Sequence, residues 1–362
     1  MTYKPIILLL IASGLNAQTV VQGTVTDAKT NEALPFANVY FNNSTKGAQT
    51  DDKGNYIINN VAAGSGQLVV SYLGYTSFQQ NLVLENNKPQ TLNVQLSPLT
   101  NLLNDIEIKA KRDKVWERHY NRFEEQFLGD SPNYSKCKVL NGWVVDFNEK
   151  KDEGILNAKT NRPIEVENLA LGYKVFYDLW QFSISKTQFK VLGAARFEEL
   201  KPKDDKERKR WTNNRLETFE RSSRFFFKSL FDNKLEKDQF LVYKMDRNTD
   251  WWGTNVWDKN KSFYTNNNLI NNNLTVMRTS LSATEKLLIS DLPIEVSNER
   301  LYVNLPSQNV RDAHPVTKMR FARPVVVNKN GLITDPSAIE MIGYWASERI
   351  ADMLPIDYNP EK

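Results

Sequence analysis

The 362-residue chain carries 47 basic and 43 acidic residues, a formal net charge of +4 that is too near balance for a general nucleic-acid binder. With 40% hydrophobic and 25% charged residues and a mean hydropathy of −0.53, it reads as a globular body long enough for two domains or three segments. A single cysteine, Cys137, excludes an intramolecular disulfide, so each core must hold itself together.

Residues 1–17 read as a signal peptide: Lys4 gives a positive start, residues 6–12 an apolar run, and Leu15-Asn16-Ala17 a small-residue cleavage site before Gln18. The run is too short for a stable membrane anchor, and no later run approaches spanning length, so no transmembrane segment is expected after cleavage. No cysteine stands near the site to take a lipid. The expected location is therefore outside the cytoplasm, periplasmic or associated with an outer membrane.

Residues 19–97 read as one small β-sandwich. Val21, Gly23 and Val25, then Ala37, Val39 and Phe41, then Leu68, Val70 and Tyr72 alternate with residues that can face water, the two-residue period of a half-buried strand. Between these runs lie segments rich in Asp, Asn, Gly and Pro, whose side chains or dihedrals favour turns. Strands at this spacing predict a sandwich of seven strands. Asp51-Asp52-Lys53-Gly54 faintly suggests a calcium loop, but it lacks alternating ligands and a closing glutamate and reads as a turn.

Four blocks, Gly23-Thr24-Val25-Thr26-Asp27, Leu34-Pro35-Phe36-Ala37-Asn38-Val39, Thr50-Asp51-Asp52-Lys53-Gly54-Asn55-Tyr56 and Ser71-Tyr72-Leu73-Gly74-Tyr75, resemble in order and spacing the carboxypeptidase-like regulatory domain, a transthyretin-like sandwich. The resemblance implies an accessory module of envelope proteins of the Bacteroidota, without catalysis of its own.

Residues 98–128 read as a connector and an amphipathic helix. Ile106-Glu107-Ile108 has the look of an edge strand, and Trp116, Tyr120, Phe123 and Phe127 recur every three or four residues over 114–128, a stripe that docks on the next domain. TonB-dependent transporters carry a similar sandwich and connector, but fewer than 250 residues follow Asp113, short of a plug and a 22-stranded barrel.

Residues 129–362 read as an α+β, β-rich domain, so the whole is mainly β. Strand-like runs cover 137–140, 143–147, 164–166, 173–179, 181–184 and 189–192, and helix covers 204–231 with Trp211, Arg215, Phe219, Ser222 and Phe226 on one stripe. Near the end, Asp335-Pro336 predicts the cap and first residue of a last helix, with Ile339, Ile342, Ala346, Ile350 and Met353 buried and Pro355 as its stop. Phe127-Leu128-Gly129, Cys137, Asn141, residues 164–168, Leu171-Gly172-Tyr173, residues 197–200, Arg210-Trp211, Asn214-Arg215, Gly343-Tyr344-Trp345, Leu354-Pro355 and Tyr358 resemble an uncharacterised Bacteroidota family that pairs this module with the sandwich. That resemblance implies no activity.

Chemistry must then come from single residues. A zinc peptidase needs two histidines and a glutamate on one ion; the only histidines are His119 and His314, and Arg122 stands where a glutamate would follow His119, so no metal or other cofactor is expected. Cys137 as a nucleophile would need a histidine base, and a buried small hydrophobe is the better reading. Glu165 with Glu167, or Glu198 with Glu199, could serve a glycosidase; the first pair shares a strand face and the second diverges. The charged run 201–210 mixes acids among its bases and reads as a solvated helix start. Trp251, Trp252, Trp257 and Tyr264 lie in a polar, asparagine-rich stretch and are the candidate ligand-binding residues, since exposed aromatic faces stack on sugars or on partner side chains. The same tryptophans could instead tuck a loop over the core. The expectation is a non-catalytic exported envelope protein with an envelope protein partner; a glycan-binding protein and a carboxylate hydrolase are the alternatives.

Overall fold

A computed structural model describes residues 18–99, 113–186, 189–245, 278–282, 284–301, 303–305, 310–313, 315–333 and 335–360. The signal segment, Ile106-Glu107-Ile108, His314 and the candidate residues Trp251, Trp252, Trp257 and Tyr264 lie outside the described residues. The fold is mainly β.

The first body is the sandwich. Its strands are β1 (Gln18–Asp27), β2 (Asn38–Phe41), β3 (Gly47–Gln49), β4 (Asn55–Ala62), β5 (Gly64–Ser71), β6 (Phe78–Leu84), β7 (Gln90–Thr91) and β8 (Val94–Leu96). One sheet runs β4-β1 with β7 and β8 both parallel on β1, so the last two act as one interrupted strand; the other runs β3-β2-β5-β6. The alternating residues meet between them: Val21, Val25, Val39, Phe41, Tyr56, Ile58, Leu68 and Val70 form one buried cluster. The Asp51 turn is as expected, its carboxylate accepting from the Lys53 and Asn55 amides at 2.9 and 2.8 Å while Gly54 takes φ +76°.

The second body begins with α1 (Lys114–Leu128). Asp113 caps it, accepting from the Val115 and Trp116 amides, and Phe123 and Phe127 are buried as their spacing predicts. The helix covers a six-stranded sheet of β9 (Cys137–Val139), β10 (Val145–Lys150), β11 (Ile155–Thr160), β12 (Ile164–Asn168), β13 (Tyr173–Ile184) and β14 (Phe189–Glu199). Here the two runs read separately at 173–179 and 181–184 are one long strand, bulged between Leu179 and Gln181. β14 pairs along the whole of β13.

The predicted helix over 204–231 divides in two, α2 (Asp205–Arg221) and α3 (Ser223–Phe231). Ser222 makes the break, closing α2 by donating its hydroxyl to Phe219 O at 2.7 Å and capping α3 by accepting from the Phe225 amide. Phe226, Phe227 and Leu230 of α3 then enter a further core. Its strands are β15 (Phe240–Lys244), β16 (Arg278–Ser280), β17 (Glu285–Leu288), β18 (Ile294–Asn298), β19 (Val303–Leu305), β20 (Val310–Ala313), β21 (Val316–Phe321), β22 (Val325–Asn328) and β23 (Ile339–Gly343). They form sheets β15-β18-β21-β23 and β16-β17-β22, with β19 paired to β20. Glu295 and Lys318, opposite each other in register, are both buried.

The expected last helix is a correction. After a single 3-10 turn, Pro336–Ala338, the chain forms β23 on the edge of β21, then two more 3-10 turns, Tyr344–Ser347 and Ile350–Asp352. Asp335 still caps, accepting from the Ser337 amide and hydroxyl at 3.2 and 2.6 Å. The β-branched Ile339 and Ile342 find a ladder on β21, and Gly343 at φ +102° turns the chain away. Of the proposed stripe only Ile339 and Ile350 are fully buried, and in different cores.

Candidate functional site: the junction groove and a cavity lined by two carboxyls

The residues nominated for chemistry are held apart. Glu165 lies half-buried on β12 and ion-pairs Lys174 at 2.8 Å, while Glu167 stands in register with Lys138 and Lys174. Glu198 pairs with Arg196, and Glu199 with Arg215 at 3.1 Å. Cys137 donates its thiol to Asn133 O at 3.4 Å, and burial pushes the thiol up to about 12, which keeps it protonated. His119 packs edge-on against Phe147 with its Nε2 at 3.5 Å from Glu149. Among the described residues no group of three or more His, Cys, Asp or Glu could hold a metal ion.

The motif residues of α2 have a structural task. Trp211 donates its indole N–H to Leu169 O, Asn214 its amide to Ala170 O, and Arg215 its guanidinium to Leu171 O and Gly172 O, at 2.7 to 3.2 Å. Together they grip the carbonyls of the turn between β12 and β13, of which Gly172 O also accepts from the Leu200 amide at 3.0 Å. Gly172 sits at φ +71° with Trp211 across its α-carbon, so close that a Cβ would come within 2.3 Å of the indole. Asn168 completes the turn from below, accepting from the Ala170 and Leu171 amides and donating to Ala351 O.

The sandwich is fastened to this second body through its β2–β3 loop. The Asn43 amide donates to Ala195 O at 2.7 Å, the Ala195 amide to the Asn42 side chain at 3.0 Å, and the Phe197 amide to Ser44 O at 3.0 Å. These bonds make one isolated parallel bridge, Ser44 with Arg196, and cover part of the outer edge of β14. Beside it Tyr40 and Val69, register partners on the outer face of the sandwich, are buried against Ala194. The Tyr40 hydroxyl donates to Asp178, whose carboxyl burial pushes above the usual carboxylate range. The chain's end seals the other side of the loop: the Ile356 amide donates to Asn43 O at 2.6 Å, and Thr45 donates to Asp357 through its amide and hydroxyl.

Two hollows result. A groove of about 500 Å³ runs between the edge of the sandwich, the β17 and β22 ends and residues 356–359. Its walls carry amides, Asn60, Asn86, Asn328 and Asn330, and Lys46 and Lys329, while the Ser65 hydroxyl crosses it to Glu285. A second cavity, about 330 Å³, lies where α1, β13, β14, the α2–α3 break and residues 348–354 converge. It is mostly apolar, with Phe127, Tyr177, Val191, Phe219 and Met353 on its walls, but Glu348 and Asp352 both face it. Glu348 accepts from the Ser223 amide and hydroxyl at 2.8 and 2.9 Å, and Asp352 from the Asn133 side chain at 2.9 Å. Desolvation pushes the Glu348 carboxyl up to about 8, with the Asp352 charge adding to it, and desolvation also raises Asp352.

Residues 21–108 match the family model of the CarboxypepD_reg-like domain. A comparison with curated proteins gives no match. Among solved structures, a cohesin–X-dockerin complex from Acetivibrio cellulolyticus shares 20% identity over 26% of this chain and 64% of its own, with a TM-score of 0.21. The pilus 2b backbone protein of group B streptococcus shares 18% over 23% and 42%, at 0.20, and a candidate carbohydrate-binding protein from Bacteroides uniformis 9% over 50% and 79%, at 0.20. The chain spans 64%, 42% and 55% of the first three solved chains it matches. Likenesses this slight say nothing of ligand or activity.

The CarboxypepD_reg-like domain thus contributes one wall of the groove, and through Asn43 touches the cavity. Sequence reasoning missed Glu348 and Asp352. The four-residue spacing, read as helix, was visible in the sequence, but their half-buried setting depends on Ser223 and Asn133, more than a hundred residues earlier in the chain.

Proposed function

We propose that the protein is an exported, non-catalytic component of a Bacteroidota cell envelope, periplasmic or associated with the outer membrane. In this reading the CarboxypepD_reg-like domain is an accessory module fastened to its own chain, and an envelope protein partner docks at the groove between the two. The observation that carries the reading is the groove itself, walled jointly by the sandwich, the β17 and β22 ends and the C-terminal residues, at a boundary where binding sites tend to form. The engagement of Glu165, Glu198, Glu199 and Cys137 in ion pairs or in a protonated hydrogen bond supports a non-catalytic role. The test is photo-crosslinking from the exposed positions Asn60 and Asn86 in native cells, followed by mass spectrometry. A reproducible envelope protein joined at these positions, and not at Lys114 on the far helix, is expected; crosslinks to self alone, or an uncleaved chain in the cytoplasm, would sink the proposal.

The amide-rich lining favours a second reading, a glycan held in the same groove by hydrogen bonds to its hydroxyls. Glycan-array binding that survives paired Asn60→Ala and Asn86→Ala substitution would count against it.

A further inference from the structure

The second cavity sets two acids, Glu348 and Asp352, among apolar walls. Neither carboxyl makes an ion pair among the described residues, although two arginines line the same space. Arg224 spends its guanidinium on the carbonyls of Asn330, Pro355, Ile356 and Tyr358, and Arg349 spends its own on those of Ala346 and Glu348 while lying over the Phe189 ring. Arg224 thus commits all three guanidinium nitrogens to carbonyls, whereas both bonds of Arg349 come from Nη1 and its charge acts on Glu348 through space. The carboxyls are served by neutral donors, Glu348 by the Ser223 amide and hydroxyl and Asp352 by the Asn133 amide and the Ser131 side chain.

Around these two acids the walls are aromatic and aliphatic, the usual make-up of a small-molecule site, in which a few placed polar groups fix an apolar body. At ~30 Å³ for each water-sized group, 330 Å³ holds about ten non-hydrogen atoms. An anion would meet two carboxyls, and a neutral apolar guest would offer them no donor. An ammonium supplies up to three donors and favours the ionised form of each acid.

We propose that this cavity binds a small amine with an apolar body, the body packed among Phe127, Tyr177, Val191 and Phe219 and the ammonium set against Glu348 and Asp352. Binding makes Glu348 ionise, so a proton leaves as the amine enters at neutral pH, and affinity rises with pH until Glu348 is ionised in the free protein. The other charged groups acting on the two acids are Arg349 on the same segment, Arg221 at the end of α2 and Asp130 after α1, with Tyr344 and Cys137 neutral.

The test uses the full mature chain and isothermal titration with phenethylamine, against 2-phenylethanol and 3-phenylpropanoate as guests of the same body. The amine should bind once per chain, at least about tenfold tighter than the alcohol, with the carboxylate silent, and should release a proton at about pH 7, read from two buffers of different ionisation heat. Glu348→Gln keeps an acceptor for Ser223 and should cut amine affinity about tenfold and abolish the proton release without lowering the melting temperature at about pH 7. Val191→Phe, which fills the body's place and leaves both acids, should also abolish binding. Equal affinity for the three guests, no binding at all by the folded chain, or amine affinity unchanged in Glu348→Gln would overturn the proposal.

Discussion

Tyr40→Phe removes a single oxygen from the seam between the sandwich and the second body. Tyr40 is 2% exposed, and its hydroxyl donates to Asp178, an acid set deep in β13. Ser71 is the other side chain that bonds this carboxyl, with the Arg196 charge assisting. Deleting the hydroxyl removes one of two side-chain donors from a half-buried acid, which costs about 2 kcal/mol, between a neutral hydrogen bond and a charged one. The ring still packs on Val69 and Ala194, so the loss falls on docking and not on the sandwich core. At 1.4 kcal/mol per tenfold, exchange of the Asn43, Ala195 and Phe197 amides, which bridge the seam, should accelerate about thirtyfold. Exchange of the Val21 and Ile58 amides, inside the sandwich ladder, should not change. Adding Asp178→Asn should recover part of the loss, because a neutral amide suffers less from a missing donor. Uniform acceleration throughout the chain, or no change at the three seam amides, would refute the reasoning.

Glu348→Gln should also alter stability against pH. The folded acid lies near 8 against an ordinary 4.5, so between these values the folded chain holds a proton that the unfolded chain has lost, and wild-type stability falls as pH rises through that window by on the order of 5 kcal/mol; urea titrations of the variant should show a much flatter dependence. Gly172→Ala should destabilise by roughly 3 kcal/mol, since the new methyl meets the Trp211 ring at 2.3 Å on a left-handed backbone, and an unchanged urea midpoint would dismiss the tight approach. Cys137, held protonated with its thiol near 12, should resist thiol reagents at about pH 8 in the native state and react in urea; rapid native labelling would contradict its burial.

Where local chemistry decides, the sequence was readable. The period-two runs of the sandwich meet across one core, the aromatic stripe of 114–128 forms a helix that buries Phe123 and Phe127, and the Asp51 turn forms from its own carboxylate. Failures come where a distant partner wins. Residues 336–353 have both a helix cap and a helix-like period, yet β21 offers them an edge, and pairing with it outweighs a local preference worth fractions of a kcal/mol per residue. The same cause hides Glu348 and Asp352, whose neighbours Ser223 and Asn133 lie 125 and 219 residues away in the chain. The acids nominated from sequence, Glu165 and Glu198, occur among lysines and arginines in register or two residues off, and these neutralise them.

The C-terminal segment explains why three cores behave as parts of one object. Trp345 belongs to the core of α3 and β18, and its indole donates to Arg221 O. Five residues later Ile350 is buried under α1 in the second core, and Ala351 O receives the Asn168 amide. Six further on, Ile356 and Asp357 bond the docking loop of the sandwich. Arg224, at the start of α3, draws the carbonyls of Pro355, Ile356 and Tyr358 onto one guanidinium; burial lowers its pKa to about 10, still well above neutrality, so the charge persists. A short stretch of irregular backbone thus satisfies its own polar groups by bridging bodies, where a helix would have satisfied them internally. That is the physical content of the failed helix prediction: these carbonyls are the fastenings, and the cavity lined by Glu348 and Asp352 is the space left between the bodies they join.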